Sequence, residues 1–211
     1  MSPPLPHFEA RPGREQAALE ASRAVLALFL AQRSADFSVK ALAEHTGLSE
    51  RTFYRYFPHK EDAVRPYIEA GLEHVVAALR AVPRDRPLRE ALTEAHAELL
   101  DLGLVVDVGA FLAVLSSTER LRALWLSVAT DAEAAFAEVV AERLGVAPDA
   151  LQARIAGGVI VLAGRLALQS AGAAPDGHSP SQVFADCLDQ LGPGLFEAPA
   201  AGHPEQTPDR S

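Results

Sequence analysis

The sequence has little of what several protein classes require. Its single cysteine, Cys187, excludes an internal disulfide and is typical of proteins in the reducing cytoplasm. Alternating apolar and polar residues, the pattern of half-buried strands, are missing, whereas helical spacing recurs throughout and Ala and Leu are abundant. No apolar run reaches the ~18 residues of a membrane span, and no basic start leads into an apolar signal segment. We therefore expect an all-α, cytoplasmic protein that does not enter the membrane.

Residue patterns that carry enzyme or cofactor chemistry are also missing. The chain contains no HExxH, no GxSxG, no Walker loop and no cysteine pair for zinc, so we predict no catalytic residues, no metal site and no cofactor. His74 and His96 fall on neighbouring predicted helices, and they either line a pocket or are partly exposed structural residues. Cys187 lies on the apolar face of the last predicted helix, which favours a buried, unreactive thiol over a redox sensor.

Negative charge dominates the chain but is unevenly distributed. The formal net charge is −9, yet residues 1–70 contain 9 basic and 9 acidic side chains, so the rest of the chain carries the whole excess. Because DNA affinity depends on the charge at the contact surface, this balance does not exclude a nucleic-acid partner. The acidic remainder is either held away from a duplex or serves only solubility. With 49% hydrophobic residues, the chain has enough apolar material for a substantial core.

Residues 38–60 read as two short helices joined by a tight turn. Apolar and small residues recur at helical spacing over residues 39–46, and Gly47 follows at the place where a helix ends in a left-handed residue. Ser49 is a natural N-cap for the second helix. The spacing predicts a helix-turn-helix, whose second helix enters the major groove of DNA.

Polar residues of this motif are the predicted DNA contacts. Arg51 is the predicted base reader, because a guanidinium fits the O6 and N7 atoms of guanine. Glu50 either accepts a hydrogen bond from cytosine N4 or only favours the helix N-terminus. Ser49 and Thr52 belong to the same surface. The residues expected to hold phosphates are Ser38, Lys40, Tyr54, Arg55, Tyr56 and Lys60.

The same segment resembles the DNA-binding domain of the TetR family of transcriptional repressors. Members commonly carry an aromatic-Tyr-x-Tyr/His-Phe-x-x-Lys-Glu run, which here reads Phe53, Tyr54, Arg55, Tyr56, Phe57, Pro58, His59, Lys60 and Glu61. The resemblance covers roughly residues 14–70. It implies a homodimer on double-stranded DNA with a near-palindromic operator, and a second domain that binds a small-molecule effector.

Turn signals and helical periodicity divide the chain. The predicted units are a disordered tail over residues 1–12, the helix-turn-helix domain over 13–60, a helical ligand-binding and dimerisation domain over 61–192, and a disordered tail over 193–211. Arg11 and Arg14 either form a basic arm that reaches DNA or are solvated. A helix over about residues 60–82 should break near Pro66. Further helix starts are indicated by Ser116 with Glu119, by Pro148, and by Ser179 with Gln182.

Two surfaces are predicted for the second domain. Its inner helices should surround a ligand cavity, and the candidate wall residues, each of which would otherwise be plain core, are Phe111, Leu115, Leu121, Trp125 and Phe136. Few polar residues lie among them, which favours an apolar or amphipathic effector. By the resemblance, the last two long helices pair with their copies in a dimer. The residues predicted for that interface are Ala156, Gly157, Gly158, Ile160, Phe184 and Leu188.

The sequence therefore favours a ligand-responsive, sequence-specific DNA-binding regulator, and a repressor released from its operator by an effector. One alternative is a transcriptional activator of the same architecture, which the sequence does not separate from a repressor. The other is a small all-α ligand-binding protein or enzyme in which the helix-turn-helix is only structural. A steep salt dependence of DNA binding would separate a true DNA reader from this last class.

Overall fold

A computed structural model describes residues 5–8, 11–101, 108–171 and 179–198. These residues form nine α-helices and no β-strand, which confirms the predicted fold class. The helices are α1 (Gly13–Gln32), α2 (Val39–Thr46), α3 (Glu50–Tyr56), α4 (Arg65–Ala81), α5 (Leu88–Asp101), α6 (Val108–Ser116), α7 (Glu119–Leu144), α8 (Leu151–Ala171) and α9 (Pro180–Asp189). Short 3-10 turns cover Lys60–Val64 and Pro193–Leu195.

The helix-turn-helix of α2 and α3 forms where the sequence predicts it. Ser38 caps α2 and Ser49 caps α3, each side chain accepting the backbone N–H three residues further on. Gly47 ends α2 at φ 70°, a left-handed conformation that glycine adopts without steric cost. These local signals fix both ends of the turn.

The start of α4 explains how the chain accommodates Pro66. Lys60–Val64 is a 3-10 turn, and α4 begins only at Arg65, so the proline lies in the first helical turn. The missing N–H of Pro66 costs nothing there, because the first N–H groups of a helix have no partner within it. The predicted break near Pro66 is therefore a helix start.

Two other predicted helix starts are wrong. Thr118 caps α7 by accepting the N–H of Leu121, whereas Ser116 is the last residue of α6. α8 begins at Leu151, and Pro148 lies in the turn before it. The predicted start of α9 is confirmed: Ser179 and Gln182 form the capping box reciprocally.

Two apolar clusters make up the core. The first joins α1 to α3 with the beginning of α4, with α6 and with the first half of α7. The second joins the rest of α4 with α5, the second half of α7, α8 and α9. The predicted domains 13–60 and 61–192 thus share the first cluster, since Phe111 and Leu121 belong to it together with Phe29 and Phe53.

Both predicted tails contain packed residues. Leu5 is buried, and the Phe8 ring packs at a tilt against the Tyr67 ring with centroids 5.1 Å apart. The prediction of a disordered tail is therefore wrong for residues 5–8. At the other end, Phe196 is buried and the Gln152 amide donates to three carbonyls over residues 194–197, so that prediction also fails there. Residues 199–211 lie outside the described part of the chain.

One described helix, Leu151–Ser170, is long and apolar enough to cross a membrane by length and composition alone. Core helices of water-soluble proteins pass the same test. α8 packs against α7 and α9 and contributes to the second core cluster, which accounts for its inner apolar residues. Its outer residues are considered with the dimer surface below.

Candidate DNA interface and ligand cavity

α3 has one buried and one exposed side. Phe53 and Phe57 are buried and pack edge to face with ring centroids 5.0 Å apart, which fixes the helix against α1 and α2. Glu50, Arg51 and Arg55 are exposed on the other side of the helix. Tyr54 shares that side and is 52% exposed. Arg51, the predicted base reader, is therefore accessible to a macromolecular partner.

Two guanidinium groups lie near the ring of Tyr56 at the end of α3. The Cζ atoms of Arg14 and Arg55 lie 5.6 Å and 5.4 Å from the centroid of its ring, close enough for cation–π attraction. Arg14 also donates to the Arg55 carbonyl at 2.9 Å. Arg14 is therefore fixed beside α3 and adds positive charge to this surface, while Arg11 pairs with Glu73 of α4.

Lys60 has a structural partner that the sequence did not indicate. It is half-buried, and its Nζ donates to the Phe37 carbonyl at 3.0 Å. This bond ties the 3-10 turn before α4 to the loop that leads into α2. Ser38 and Lys40 remain exposed at the start of α2. Lys60 thus positions the loop that carries Ser38, and an ammonium group retains two further donors.

An apolar cavity of about 110 Å³ lies among seven helices. Phe111, Trp125 and Phe136 line it, whereas Leu115 and Leu121 do not. The placement of the last two on the cavity wall is wrong, because both are buried in the first core cluster. An engineered apolar cavity of about 150 Å³ binds benzene, so this space is suited to roughly one aromatic ring.

Tyr67 connects the cavity wall to the DNA-binding domain. Its backbone N–H donates to Ser22 Oγ of α1 at 3.0 Å, so α1 caps a helix whose own N-cap, Val64, has no hydrogen-bonding side chain. Its hydroxyl donates to the Pro6 carbonyl at 3.1 Å. Burial raises the pKa of the Tyr67 phenol above its usual range, which keeps it neutral. Leu26 of α1 also lines the cavity.

His96 is a buried polar residue on the cavity wall. Its ring stacks on Phe184 with centroids 4.1 Å apart and planes 3° apart. Nδ1 is buried and has no hydrogen-bond partner among the described residues. Burial lowers the pKa of His96 to about 4, so the imidazole is neutral at pH 7. His74, which the sequence placed beside it, lies off the wall and packs against Phe8.

Most of the residues predicted at a dimer interface face their own chain. The buried ones are Ala156, Gly157, Ile160, Phe184 and Leu188. Ile160 and Phe184 line the cavity, and a Cβ on Gly157 would lie 2.9 Å from Ala137 N of α7 and still closer to the Glu133 carbonyl oxygen. For these five residues the prediction is wrong, since the small residues serve packing of α8 on α7. Gly158 alone of the six is half-buried.

The outer face of α8 is apolar and exposed. Leu151, Ile155, Leu162 and Leu166 recur at helical spacing and are 70%, 47%, 43% and 41% exposed. We call these four residues the α8 stripe. A contiguous apolar stripe of this length on a protein surface marks a contact with another molecule more often than isolated exposed leucines do.

Comparison with known proteins agrees with this geometry. Residues 21–65 match the profile of the family described as bacterial regulatory proteins, tetR family. The HTH-type transcriptional regulator TcmR of Streptomyces glaucescens is 31% identical over 187 residues, a match that covers 82% of this chain and 82% of TcmR. The chain belongs to the TetR family.

As a TetR-family protein, the chain is a DNA-binding transcriptional regulator and not an enzyme. The matched residues 21–65 begin inside α1 and end where α4 starts, so they contain the whole helix-turn-helix. Within the described residues, no group of three His, Cys, Asp or Glu side chains is placed to hold a metal ion.

Three features of this TetR-family regulator could not be predicted from its sequence. Tyr67, Ser22 and the segment around Pro6 join through contacts between distant parts of the chain, which periodicity does not reveal. Leu5 and Phe8 gave the only available signal, because apolar side chains in a proline-rich tail suggest packing. Cys187 is half-buried where the sequence predicted a buried thiol, and burial raises the pKa of that thiol.

Proposed function

We propose that the protein is a cytoplasmic, homodimeric repressor that leaves a near-palindromic operator when a small apolar molecule occupies the cavity. The position of the cavity carries this proposal, because its wall includes Leu26 behind the helix-turn-helix and Tyr67 at the start of α4. An occupant that moves either side chain also moves the element that holds α3. The effector can shift the dimer only by its difference in affinity between the two states.

We assign base reading to Arg51 and contacts with the DNA backbone to the residues around it. The exposure of Arg51, Lys40 and Arg55 supports these roles. Glu50, at the start of α3, accepts from cytosine N4 or favours the helix N-terminus. Ser49 and Thr52 are linked to each other by a 3.0 Å hydrogen bond at the start of α3, and we assign them to the same DNA-binding surface. Ser38, Tyr54, Tyr56 and the remaining donors of Lys60 contact phosphates.

Dimerisation is assigned to the α8 stripe. Two copies related by a two-fold axis would cover the stripe with itself, as an isologous interface requires. That arrangement presents two α3 helices about 34–36 Å apart, one turn of B-DNA, or a multiple of this distance. The self-complementary geometry explains why the operator should be near-palindromic.

Selection of bound duplexes from random DNA tests the proposal, followed by anisotropy with the selected operator over a salt series. Arg51→Ala should weaken the preferred operator by roughly 1–3 kcal/mol and relax specificity at one base pair. Lys40→Ala is the matched control, and it should weaken all sequences alike and reduce the salt slope by about one. Equal, sequence-blind losses for both variants would contradict the assignment of Arg51.

In vitro transcription from a promoter that contains the operator distinguishes a repressor from an activator. The proposal requires that the protein lower transcript yield and that an occupant of the cavity restore it. Higher yield on adding the protein would identify the activator alternative. Binding with no sequence preference and a shallow salt slope would instead favour a ligand carrier with a structural helix-turn-helix.

A further inference from the structure

The cavity wall contains four side chains with hydrogen-bonding groups. They are Tyr67, His96, Trp125 and Arg165. Tyr67 already donates to the Pro6 carbonyl, and Trp125 and Arg165 are half-buried. His96 is only 5% exposed. Tyr67 and His96 are thus the two buried polar side chains of the wall, and of these two His96 has a buried nitrogen without a hydrogen-bond partner among the described residues.

The imidazole is held in place but incompletely bonded. Stacking on Phe184 fixes the ring plane, and Nδ1 lacks a hydrogen-bond partner among the residues that the structure describes. Buried polar atoms in folded proteins are nearly always paired, because an unpaired one has lost its water without replacement. A nitrogen left open on a cavity wall is a hydrogen-bonding site for a group that the occupant supplies.

We propose that His96 selects the occupant of the cavity through a hydrogen bond to a hydroxyl group on an otherwise apolar, uncharged molecule of about one aromatic ring. This inference rests on the proposed function only in treating that occupant as the effector. A hydroxyl both donates and accepts, so it satisfies Nδ1 in either neutral tautomer. An anion would lose its hydration beside an uncharged ring, which disfavours carboxylates at this point.

Three probes that share a propylphenyl group test the role of the hydroxyl. Full-length protein is titrated with para-propylphenol, para-propylanisole and propylbenzene, with calorimetry and Trp125 fluorescence as readouts. One added hydrogen bond of ordinary strength predicts that the phenol binds up to about tenfold tighter than propylbenzene. In the anisole the hydroxyl is methylated, so its oxygen can only accept a hydrogen bond. The anisole should therefore bind like the phenol if Nδ1 of His96 carries the proton, and like propylbenzene if it does not.

Variants at two histidines separate His96 from a general effect of polarity. His96→Phe keeps a flat ring against Phe184 and should weaken the phenol about tenfold while leaving propylbenzene unchanged. His96→Asn returns a polar atom near the place of Nδ1 and should restore part of the preference. His74→Phe is the matched control, because Nε2 of His74 is also buried without a hydrogen bond and lies 3.8 Å from Glu98 Oε1, while His74 lies off the wall. This variant should keep the preference.

The outcomes distinguish this inference from the proposed function. It is overturned if wild type shows no preference for the phenol, if His96→Phe keeps the preference, or if none of the probes binds at millimolar concentration. Labelled operator in the same titrations reports release. A His96-dependent preference without release of DNA would support the inference and refute the proposed effector role. If para-propylphenol and propylbenzene bind equally and both release DNA, the result would refute the inference and support the proposed effector role.

Discussion

Two adjacent glycines of α8 have different surroundings. A Cβ on Gly157 would lie 2.9 Å from Ala137 N, closer than real contacts allow, whereas a Cβ on Gly158 would lie 3.9 Å from Glu133 Oε2. Gly157→Ala should therefore push α8 from α7 and destabilise the protein by roughly 1–3 kcal/mol. Gly158→Ala should be neutral or stabilise by up to about 1 kcal/mol, because alanine is the better helix former. Denaturant unfolding of both variants measures this, and equal stability would contradict the close approach of the two helices.

The neutral His96 makes stability depend on pH. Its pKa is lowered to about 4 in the folded state, from 6.5, by burial. Between pH 4 and pH 6.5 the unfolded chain binds a proton at His96 and the folded chain does not. The stability that neutral His96 contributes above pH 6.5 is therefore lost as the pH falls toward 4. His96→Phe should reduce the loss of unfolding free energy between pH 7 and pH 4 by about 3 kcal/mol. Parallel pH profiles for wild type and variant would show that His96 is solvated.

At the scale of secondary-structure elements, α1, α4 and the segment before α1 meet at Tyr67. Ser22→Ala removes the cap that α1 gives to α4 and should cost about 1 kcal/mol. Tyr67→Phe removes only the hydroxyl bond to Pro6 and should release residues 5–8 while leaving α4 capped. Hydrogen exchange is the measurement. Ser22→Ala should raise exchange at the start of α4, and Tyr67→Phe should not. The same pattern in both variants would mean that the two bonds do not act separately.

Elements with local signals could be predicted from the sequence, and their partners could not. Ser38, Gly47 and Ser49 fix α2 and α3 through bonds within a few residues, so the helix-turn-helix was readable. The choice of Thr118 over Ser116 as the cap of α7 has no such local signal.

Packing partners decide which surface a predicted apolar residue occupies. α8 is apolar on both sides, so its pattern did not tell whether Gly157 meets α7 or a second copy. Periodicity likewise marked Leu121 and Trp125 as inward-facing residues of α7, but not that only Trp125 reaches the cavity. For the same reason, the sequence did not decide whether His96 lines a pocket or is a structural residue. The chemistry of the site was thus partly predictable, and its geometry was not.

At the scale of the whole molecule, the α8 stripe should hold two copies together. Leu162→Glu with Leu166→Glu places two charges in the proposed seam, and the variant should sediment as a monomer at micromolar concentration with its fold intact. Ala123→Glu adds charge at an exposed position of α7, on another helix than the stripe, and is the control. Operator affinity should fall in the double variant, because the second half-site no longer binds as part of one complex. A double variant that remains dimeric would place the interface elsewhere.

The central claim is that occupation of the cavity and binding of the operator oppose each other. The direct measurement is a titration of para-propylphenol in which Trp125 fluorescence reports occupation and anisotropy reports the operator. We predict that the operator Kd rises as the Trp125 signal saturates. The Kd of the probe should rise by the same factor when operator is present in excess, because binding free energies are linked reciprocally. A saturated Trp125 signal with an unchanged operator Kd would contradict the account.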